Sequence, residues 1–175
     1  MAEMATPDTN TATRGLIVMD IDSTLINEEV IDLLGEEAGV GDRVAQITER
    51  AMRGELDFRE ALAERVGLLA GLDESVFDRT FARVTFTPGA LELVGEAHRR
   101  GWKVGVVSGG FHQVADKIVA AAGIDYRLAN QLEVVDGRLT GKVISEVVTK
   151  ESKVRALHEW ADELGLSREK TVAMG

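Results

Sequence analysis

Two aspartates stand at the end of a predicted strand. Residues 15–24 have the sequence Gly-Leu-Ile-Val-Met-Asp-Ile-Asp-Ser-Thr, an apolar run typical of a buried strand that ends in Asp20 and Asp22. Because side chains at i and i+2 of a strand share one face, we expect the two carboxylates to lie close together. Such a pair repels unless a cation or a shared proton compensates. The pair therefore predicts a site for a hard metal ion where open α/β sheets bind their ligands.

The same residue types also make turns and helix N-caps, and this alternative stays open on the motif alone. A calcium loop of the EF-hand type is excluded. Its sixth position would be Leu25 rather than glycine, and its twelfth would be Ile31 rather than glutamate. The decision between a turn and a catalytic site therefore depends on features farther along the chain.

A second group of residues is suited to binding an anion. Ser108, Gly109 and Gly110 follow a predicted strand and precede a predicted helix, where a hydroxyl and free backbone N–H groups can hold phosphate. A simple glycine turn is the alternative. Lys153 lies in the first turn of the last predicted helix, where the helix dipole disfavours a cation. A nearby anion would remove that conflict, although an exposed lysine that extends into water is equally compatible with the sequence.

Two charged residues of the predicted helical segment could bind a zwitterion. Arg65 follows Phe58 by seven residues and Leu62 by three, so it lies on the apolar stripe of its helix. An arginine there either extends to solvent or binds a carboxylate or phosphate through paired hydrogen bonds. Glu29, near the start of the first predicted helix, could stabilise the helix dipole or bind an ammonium group. Together with Ser108 and Lys153 these residues describe a site for a molecule with phosphate, carboxylate and amine.

Composition limits the class of protein. The chain has 175 residues, 45% hydrophobic residues, a formal net charge of −10 and no cysteine. This charge argues against nucleic acid or an anionic membrane as a partner, and no segment has the length of a membrane span. The absence of cysteine fits a reducing cytoplasm. Residues 1–14 are small and polar, and we expect them to form a disordered tail.

The elements that must position these side chains alternate between strands and helices. Helical periodicity continues after residue 24 to about residue 84, and Pro88 is suited to the first turn of a helix that ends near Arg100. We predict strands at 102–107, 126–129 and 171–174, helices at 111–122 and near the end of the chain, and a hairpin around Asp136-Gly137. This order indicates an α/β fold with a Rossmann-like parallel sheet. The core would comprise residues 15–26 and 86–175, with a small helical cap inserted over 27–85.

These motifs resemble the haloacid dehalogenase superfamily, and within it the phosphoserine phosphatases of serine biosynthesis. The similarity runs from about residue 15 to the end of the chain. It includes the Asp-Ile-Asp-Ser-Thr motif, Asn-Glu-Glu at 27–29, the helix from Phe58 to Arg65, Ser-Gly-Gly-Phe at 108–111, Asp-Gly-Arg-Leu-Thr-Gly at 136–141, and Lys153. The first motif indicates only the superfamily, whereas the cap residues and the Ser-Gly-Gly-Phe run make the narrower match specific.

The resemblance implies a two-step phosphoryl transfer. Asp20 would be the nucleophile that forms an aspartyl-phosphate, and Asp22 would act as general acid and then as general base. The resemblance also implies Mg²⁺ as cofactor, bound by the Asp20 carboxylate and the Asp22 backbone carbonyl. Ser108, Gly109 and Lys153 would hold the phosphoryl oxygens.

The substrate implied by the resemblance is O-phospho-L-serine. Glu29 would bind its amino group and Arg65 its carboxylate, while Met52 and Phe58 would close an apolar cap over it. Two alternatives remain open at this point. The protein could act as a phosphatase or phosphotransferase on another small phosphomonoester, or it could bind phosphate or phosphoserine without turnover.

The end of the sequence departs from the superfamily pattern. After residues 172–175 the superfamily continues into an acidic Asp-Gly-x-x-Asp loop that supplies a further metal carboxylate. We therefore expect a truncated chain with weaker Mg²⁺ binding and impaired activity. We also expect an exposed sheet edge through which the chain could self-associate.

Overall fold

The computed structural model describes residues 12–175, so residues 1–11 of the predicted tail lie outside the described range. Its helices and strands are, in chain order, β1 (Gly15–Met19), α1 (Val30–Glu37), α2 (Gly41–Met52), α3 (Phe58–Gly67), α4 (Val76–Arg83), α5 (Ala90–Arg99), β2 (Trp102–Phe111), α6 (His112–Ala122), β3 (Tyr126–Asn130), β4 (Leu132–Val135), β5 (Arg138–Val143), α7 (Lys150–Glu163) and β6 (Thr171–Met174). None of the helices within residues 12–175 is long and apolar enough to cross a bilayer.

A four-stranded parallel sheet forms the centre of the molecule. Its strand order is β3-β2-β1-β6, so β1 is an inner strand with β2 on one side and β6 on the other. Both faces of β1 are covered: Ile17 and Met19 pack into one hydrophobic cluster, and Leu16 and Val18 pack into a second cluster with α7. Burial on both faces explains why the β1 sequence is continuously apolar rather than alternating. The α/β fold with a parallel sheet is therefore confirmed.

The segment between β1 and β2 is helical, as the periodicity predicted. Helices α1 and α2 pack against each other, α3 packs on α2, and α4 packs on α1. Helix α3 begins with a capping box, in which the Asp57 carboxylate accepts from the Glu60 backbone N–H at 2.8 Å and the Glu60 side chain accepts from the Asp57 N–H at 3.0 Å. This cap fixes the first turn of the helix that carries Phe58 and Arg65.

The hairpin of β4 and β5 packs on the helical segment. Asp136 and Gly137 both have positive φ, 51° and 75°, as the predicted two-residue turn requires. The Gly71 N–H donates to the Leu139 carbonyl at 2.7 Å, and the Leu139 N–H donates to the Leu72 carbonyl at 2.9 Å. The hairpin thus joins the connection between α3 and α4 to the part of the chain that follows β3.

Three details differ from the sequence-based expectation. Pro88 does not lie in the first turn of α5, because Gly89 adopts φ 84° and the helix begins only at Ala90. Strand β2 continues to Phe111 instead of ending near residue 107, because Phe111 pairs with Asn130 of β3. The apolar spacing of Val154, Leu157, Ala161 and Leu164 predicted the last helix, which forms as α7, but Val154 is exposed, while Ser152, Ala156 and Ala161 are buried.

Candidate active site

Asp20 and Asp22 are positioned by the turn that follows β1 and not by the strand itself. The strand ends at Met19, and residues 21–25 form an irregular turn closed by the Ile26 N–H, which donates to the Ile21 carbonyl at 3.1 Å. Within this turn Asp22 is extended (φ −60°, ψ 131°) and Ser23 has φ 55°. The prediction that Asp20 and Asp22 belong to the strand and share one of its faces is therefore wrong. The chain nevertheless places both residues at the carboxyl end of β1, where the sequence predicted a site.

Lys153 contacts both the Asp20 carboxylate and the end of β6. Its Nζ lies 3.1 Å from Asp20 Oδ1 and donates to the Met174 carbonyl at 2.7 Å. Lys153 is in the first turn of α7, where the helix dipole disfavours a cation. The Asp20 carboxylate and the carbonyl at the end of β6 supply the negative charge that compensates for this position.

Asp22 lies in a poorly solvated environment that favours its protonated form. Burial, together with the negative charges of Glu29, Asp32 and Asp20, raises its pKa to about 7, although the backbone N–H of Val30 opposes the shift. That N–H lies 3.4 Å from Asp22 Oδ1. Of these three charges, Glu29 has the largest effect and Asp20 the smallest. A carboxyl group with this pKa can both donate and accept a proton near neutral pH.

The Ser-Gly-Gly segment adjoins Asp22. Ser108 is buried, and its Oγ accepts a hydrogen bond from the Gly110 N–H at 2.9 Å. A Cβ added at Gly110 would lie 3.1 Å from Ser108 Oγ and 3.6 Å from Asp22 Oδ2, so these two polar side chains flank the same glycine. The structure thus brings Ser108 and Asp22 together, as a common phosphate site would require.

Asn130 is a site-supporting residue that the sequence analysis missed. It is fully buried at the end of β3; its Nδ2 donates to the Gly109 carbonyl at 2.9 Å, and its Oδ1 accepts from the Val148 N–H at 2.9 Å. These bonds fix the backbone of Gly109 against the segment that leads into α7. Both of its hydrogen-bond partners are distant in sequence, so no local pattern identified it.

The helical segment contributes Glu29 and Arg65. Glu29 precedes α1, is exposed, and accepts a hydrogen bond from the Ser23 hydroxyl at 2.7 Å. Arg65 is half-buried on α3, and burial lowers the pKa of its guanidinium, while the charges of Asp32 and Glu29 oppose this effect. The structure thus places a cation and an anion from the helical segment within electrostatic reach of each other.

The structure places the two predicted apolar cap residues differently. Phe58 lies over the Ser-Gly-Gly segment, because its Cζ is 3.6 Å from the position of a Cβ added at Gly109. Met52, at the end of α2, is 84% exposed. Phe58 therefore connects the helical segment to the Ser-Gly-Gly segment, whereas Met52 points into solvent in this structure.

Oxygen donors for a metal ion are present, but they do not form a closed cage. Within residues 12–175, no group of three or more His, Cys, Asp and Glu side chains is arranged to hold a metal ion. A Cβ added at Gly175 would lie 2.2 Å from Asp20 Oδ2 and 2.7 Å from Lys153 Nζ. Glycine at this position thus lets the backbone pass directly beside the carboxylate and the ammonium group, where any side chain would clash.

Comparisons with known proteins agree on one family. The model of the haloacid dehalogenase-like hydrolases matches residues 17–175. A phosphoserine phosphatase from Streptococcus thermophilus is 64% identical over 93% of this chain and 75% of its own length. One from Lactococcus lactis is 52% identical over 94% of this chain and 76% of its own length.

Solved structures give the same result. The structure described as a phospho-aspartyl intermediate analogue of phosphoserine phosphatase has a TM-score of 0.85 and 43% identity, covering 92% of this chain and 77% of that one. A substrate-bound phosphoserine phosphatase complex also has a TM-score of 0.85 and 43% identity, covering 91% of this chain and 76% of that one. The similarity thus includes the fold, the sequence and most of the length of each relative.

Proposed function

The chain belongs to the haloacid dehalogenase-like hydrolases, among the phosphoserine phosphatases, and from this we propose that it hydrolyses O-phospho-L-serine to L-serine and phosphate. The observation that carries the proposal is the ion pair of Asp20 and Lys153 at the end of β1, 3.1 Å between Nζ and Oδ1. This pair joins a nucleophilic carboxylate to a phosphate-binding cation, beside an acid with a pKa of about 7. The reaction would complete serine biosynthesis, and we place it in the cytoplasm.

In the first step, an Asp20 oxygen attacks phosphorus while the bond from phosphorus to the serine oxygen breaks. The product is an aspartyl-phosphate. The departing serine oxygen takes the proton of Asp22, whose raised pKa keeps that proton available at neutral pH. Lys153, Ser108 and the Gly109 N–H would bind the phosphoryl oxygens, since positioning and charge neutralisation dominate phosphoryl transfer.

In the second step, water attacks the phosphorus of the aspartyl-phosphate. Asp22, now ionised, takes a proton from this water, and the bond from phosphorus to Asp20 breaks. Phosphate leaves, and both aspartates return to their starting state. One carboxyl group thus serves as acid and then as base, which a pKa near neutrality permits in both directions.

We include Mg²⁺ in this proposal, because enzymes of this family generally use it. The Asp20 carboxylate and the Asp22 backbone carbonyl are hard oxygen donors, and Mg²⁺ is commonly bound by one or two carboxylates together with substrate phosphate and water. When bound, the ion would offset negative charge on the transferring phosphoryl group.

Substrate recognition would come from the helical segment. Arg65 would bind the carboxylate of phosphoserine and Glu29 its ammonium group, with Phe58 covering the Ser-Gly-Gly segment. Met52 could contribute only after a rearrangement that turns it towards the site, because it is 84% exposed here. These assignments distinguish phosphoserine from phosphomonoesters that lack the amino-acid group.

Phosphate release from L-phosphoserine, with and without Mg²⁺, tests the proposal. We expect metal-dependent turnover that Asp20→Asn abolishes. Arg65→Ala should raise KM for phosphoserine by about 100-fold, because a buried charge partner is removed, and it should leave p-nitrophenyl phosphate turnover nearly unchanged. Equal losses on both substrates would contradict the assignment of Arg65. Calorimetric binding of phosphoserine without phosphate release would favour a binding protein instead of an enzyme.

A further inference from the structure

We propose that Thr48 is a positioning residue for substrate recognition: it holds the Arg65 guanidinium in the orientation that binds the substrate carboxylate. This inference rests on the proposed function, because it assigns a partner to the arginine that reads phosphoserine. Thr48 lies in α2 and Arg65 in α3, so the contact joins two helices of the inserted segment.

The hydrogen bonds of Thr48 give its hydroxyl a defined direction. The hydroxyl donates to the Val44 carbonyl at 3.1 Å, within the same helix. Its oxygen then accepts from Arg65 Nη1, also at 3.1 Å. Because the single hydroxyl proton is engaged by Val44, the lone pairs are left for the guanidinium. The β-branched side chain also restricts rotation about χ1, which keeps this oxygen in place.

Arg65 is held entirely by neutral acceptors in the described part of the chain. Besides Thr48, its Nε donates to the Ala61 carbonyl at 3.3 Å, and it forms no ion pair within residues 12–175. Asp32 and Glu29 influence it only through longer-range charge. Two bonds thus fix the plane of the guanidinium, while both hydrogens of Nη2 lack an acceptor in this range and remain available for a carboxylate.

A neutral partner at this position has a functional advantage over an acidic one. A carboxylate in place of Thr48 would pair with Arg65 and compete with the carboxylate of the substrate. A hydroxyl orients the guanidinium without neutralising it. Because arginine loses considerable rotamer freedom when a ligand orders it, fixing the side chain beforehand lowers the cost of binding.

The test compares Thr48→Val, which keeps the shape but removes the acceptor, with Thr48→Ser, which keeps the hydroxyl. The two ligands are L-phosphoserine and O-phosphoethanolamine, which carries the same phosphate and amine but no carboxylate. We expect Thr48→Val to raise KM for phosphoserine about tenfold, as expected for loss of a hydrogen bond to a charged group. It should leave kcat and the KM for phosphoethanolamine nearly unchanged, and Thr48→Ser should restore the wild-type KM.

Calorimetry in the Asp20→Asn background gives a second readout that does not depend on turnover. Thr48→Val should weaken phosphoserine binding by the same factor. In a chain that also carries Arg65→Ala, it should change affinity by less than about twofold, because the residue through which it acts is gone. Thr80→Val is the matched control, since it makes the same substitution at a buried position on α4, and it should leave both affinities unchanged.

The outcomes separate this inference from the proposed function. If wild type prefers phosphoserine over phosphoethanolamine and Thr48→Val preserves that preference in a folded protein, Thr48 does not position Arg65. If Thr48→Val weakens both ligands equally, its role is structural. If wild type binds the two ligands equally, no carboxylate is recognised, and both the inference and the proposed function are overturned.

Discussion

The acidity of Asp22 is set by the surrounding chain and only slightly by its partner in the motif. Burial has the largest effect on its pKa, Glu29 comes next, and Asp20 contributes least among the causes of the rise to about 7. Glu29 lies seven residues farther along, at the start of the inserted helical segment. The helical segment therefore helps to set the proton affinity of the Asp22 carboxyl group, in addition to carrying the residues that we propose for substrate recognition.

This raised pKa predicts a pH-dependent cost to stability. The pKa of Asp22 is about 7 in the folded chain and near 3.8 in an unfolded one. As pH rises between these values, the unfolded state releases the proton first, so the free energy of unfolding falls. An asparagine side chain does not titrate, so Asp22→Asn should not lose stability in this way. The free energy of unfolding of Asp22→Asn minus that of wild type should therefore grow from pH 4 to pH 7 and then level off, at no more than about 4 kcal/mol.

Urea unfolding in EDTA-containing buffer at several pH values measures this difference. Asp42→Asn, at an exposed position of α2, serves as the control for removing a carboxylate. If the difference in the free energy of unfolding between Asp22→Asn and wild type is the same at pH 4 and pH 8, the Asp22 carboxyl group has an ordinary pKa.

The candidate site could be predicted from sequence wherever a residue type was unusual for its position. The paired aspartates after an apolar strand, the cation in a first helical turn and the arginine on an apolar stripe all carried such a signal. Asn130 and Thr48 did not, because their roles come from contacts with Gly109 and Arg65, which are 21 and 17 residues away. Side-chain hydrogen bonds between elements depend on tertiary packing, which local patterns do not specify.

At the scale of elements, α4 contains a buried hydroxyl without a hydrogen-bond partner. Thr80 is fully buried, and its Oγ1 has no partner among residues 12–175. Burying such a group costs free energy, whereas valine has the same shape and a similar helix propensity. We expect Thr80→Val to raise the free energy of unfolding by about 1 kcal/mol.

Chemical denaturation of Thr80→Val beside Thr80→Ser checks this expectation. Serine keeps the unpaired hydroxyl and removes a buried methyl group, so it should lower stability while valine raises it. If both variants are destabilised, the hydroxyl has a favourable interaction, for example with an ordered water molecule.

The order and type of the elements could be predicted, whereas several of their ends could not. Hydrophobic patterns identified the helical segment and the strands, and the Asp136-Gly137 turn identified the hairpin. The start of α5 depends on the positive φ of Gly89, and the length of β2 depends on pairing between Phe111 and Asn130. Both are properties of the folded chain: a glycine permits many conformations, and strand pairing is non-local.

At the scale of the whole molecule, the helical segment is connected to the sheet by two neighbouring extended segments, one around Ile26 and one around Phe86. Ile26 and Phe86 form an isolated antiparallel bridge. The Asn27 N–H donates to the Thr85 carbonyl at 3.0 Å, and Asn27 Nδ2 donates to Thr85 Oγ1 at 2.8 Å. The outgoing and returning segments are thus bonded to each other, so motion of the helical segment relative to the sheet requires deformation at this junction.

Glu28 provides the charged part of the junction and gives the last prediction. Its carboxylate accepts from the Thr85 N–H at 2.9 Å and from the Thr85 hydroxyl. Partial burial raises the pKa of Glu28, but these hydrogen bonds outweigh it and lower the pKa overall. The stabilisation is therefore present above the unfolded pKa of 4.5 and is lost as pH falls through the lower folded value. We expect Glu28→Ala to lower the free energy of unfolding at pH 7 by about 1 kcal/mol.

Hydrogen exchange distinguishes a junction that opens locally from one that opens only when the whole chain unfolds. In Glu28→Ala, exchange at residues 84–87 should accelerate at pH 7 while exchange in β1 and β2 changes only with global stability. Glu28→Gln retains one acceptor oxygen, so its exchange rate at residues 84–87 should lie between those of wild type and Glu28→Ala. Equal acceleration throughout the chain would mean that the junction and the sheet unfold as one unit.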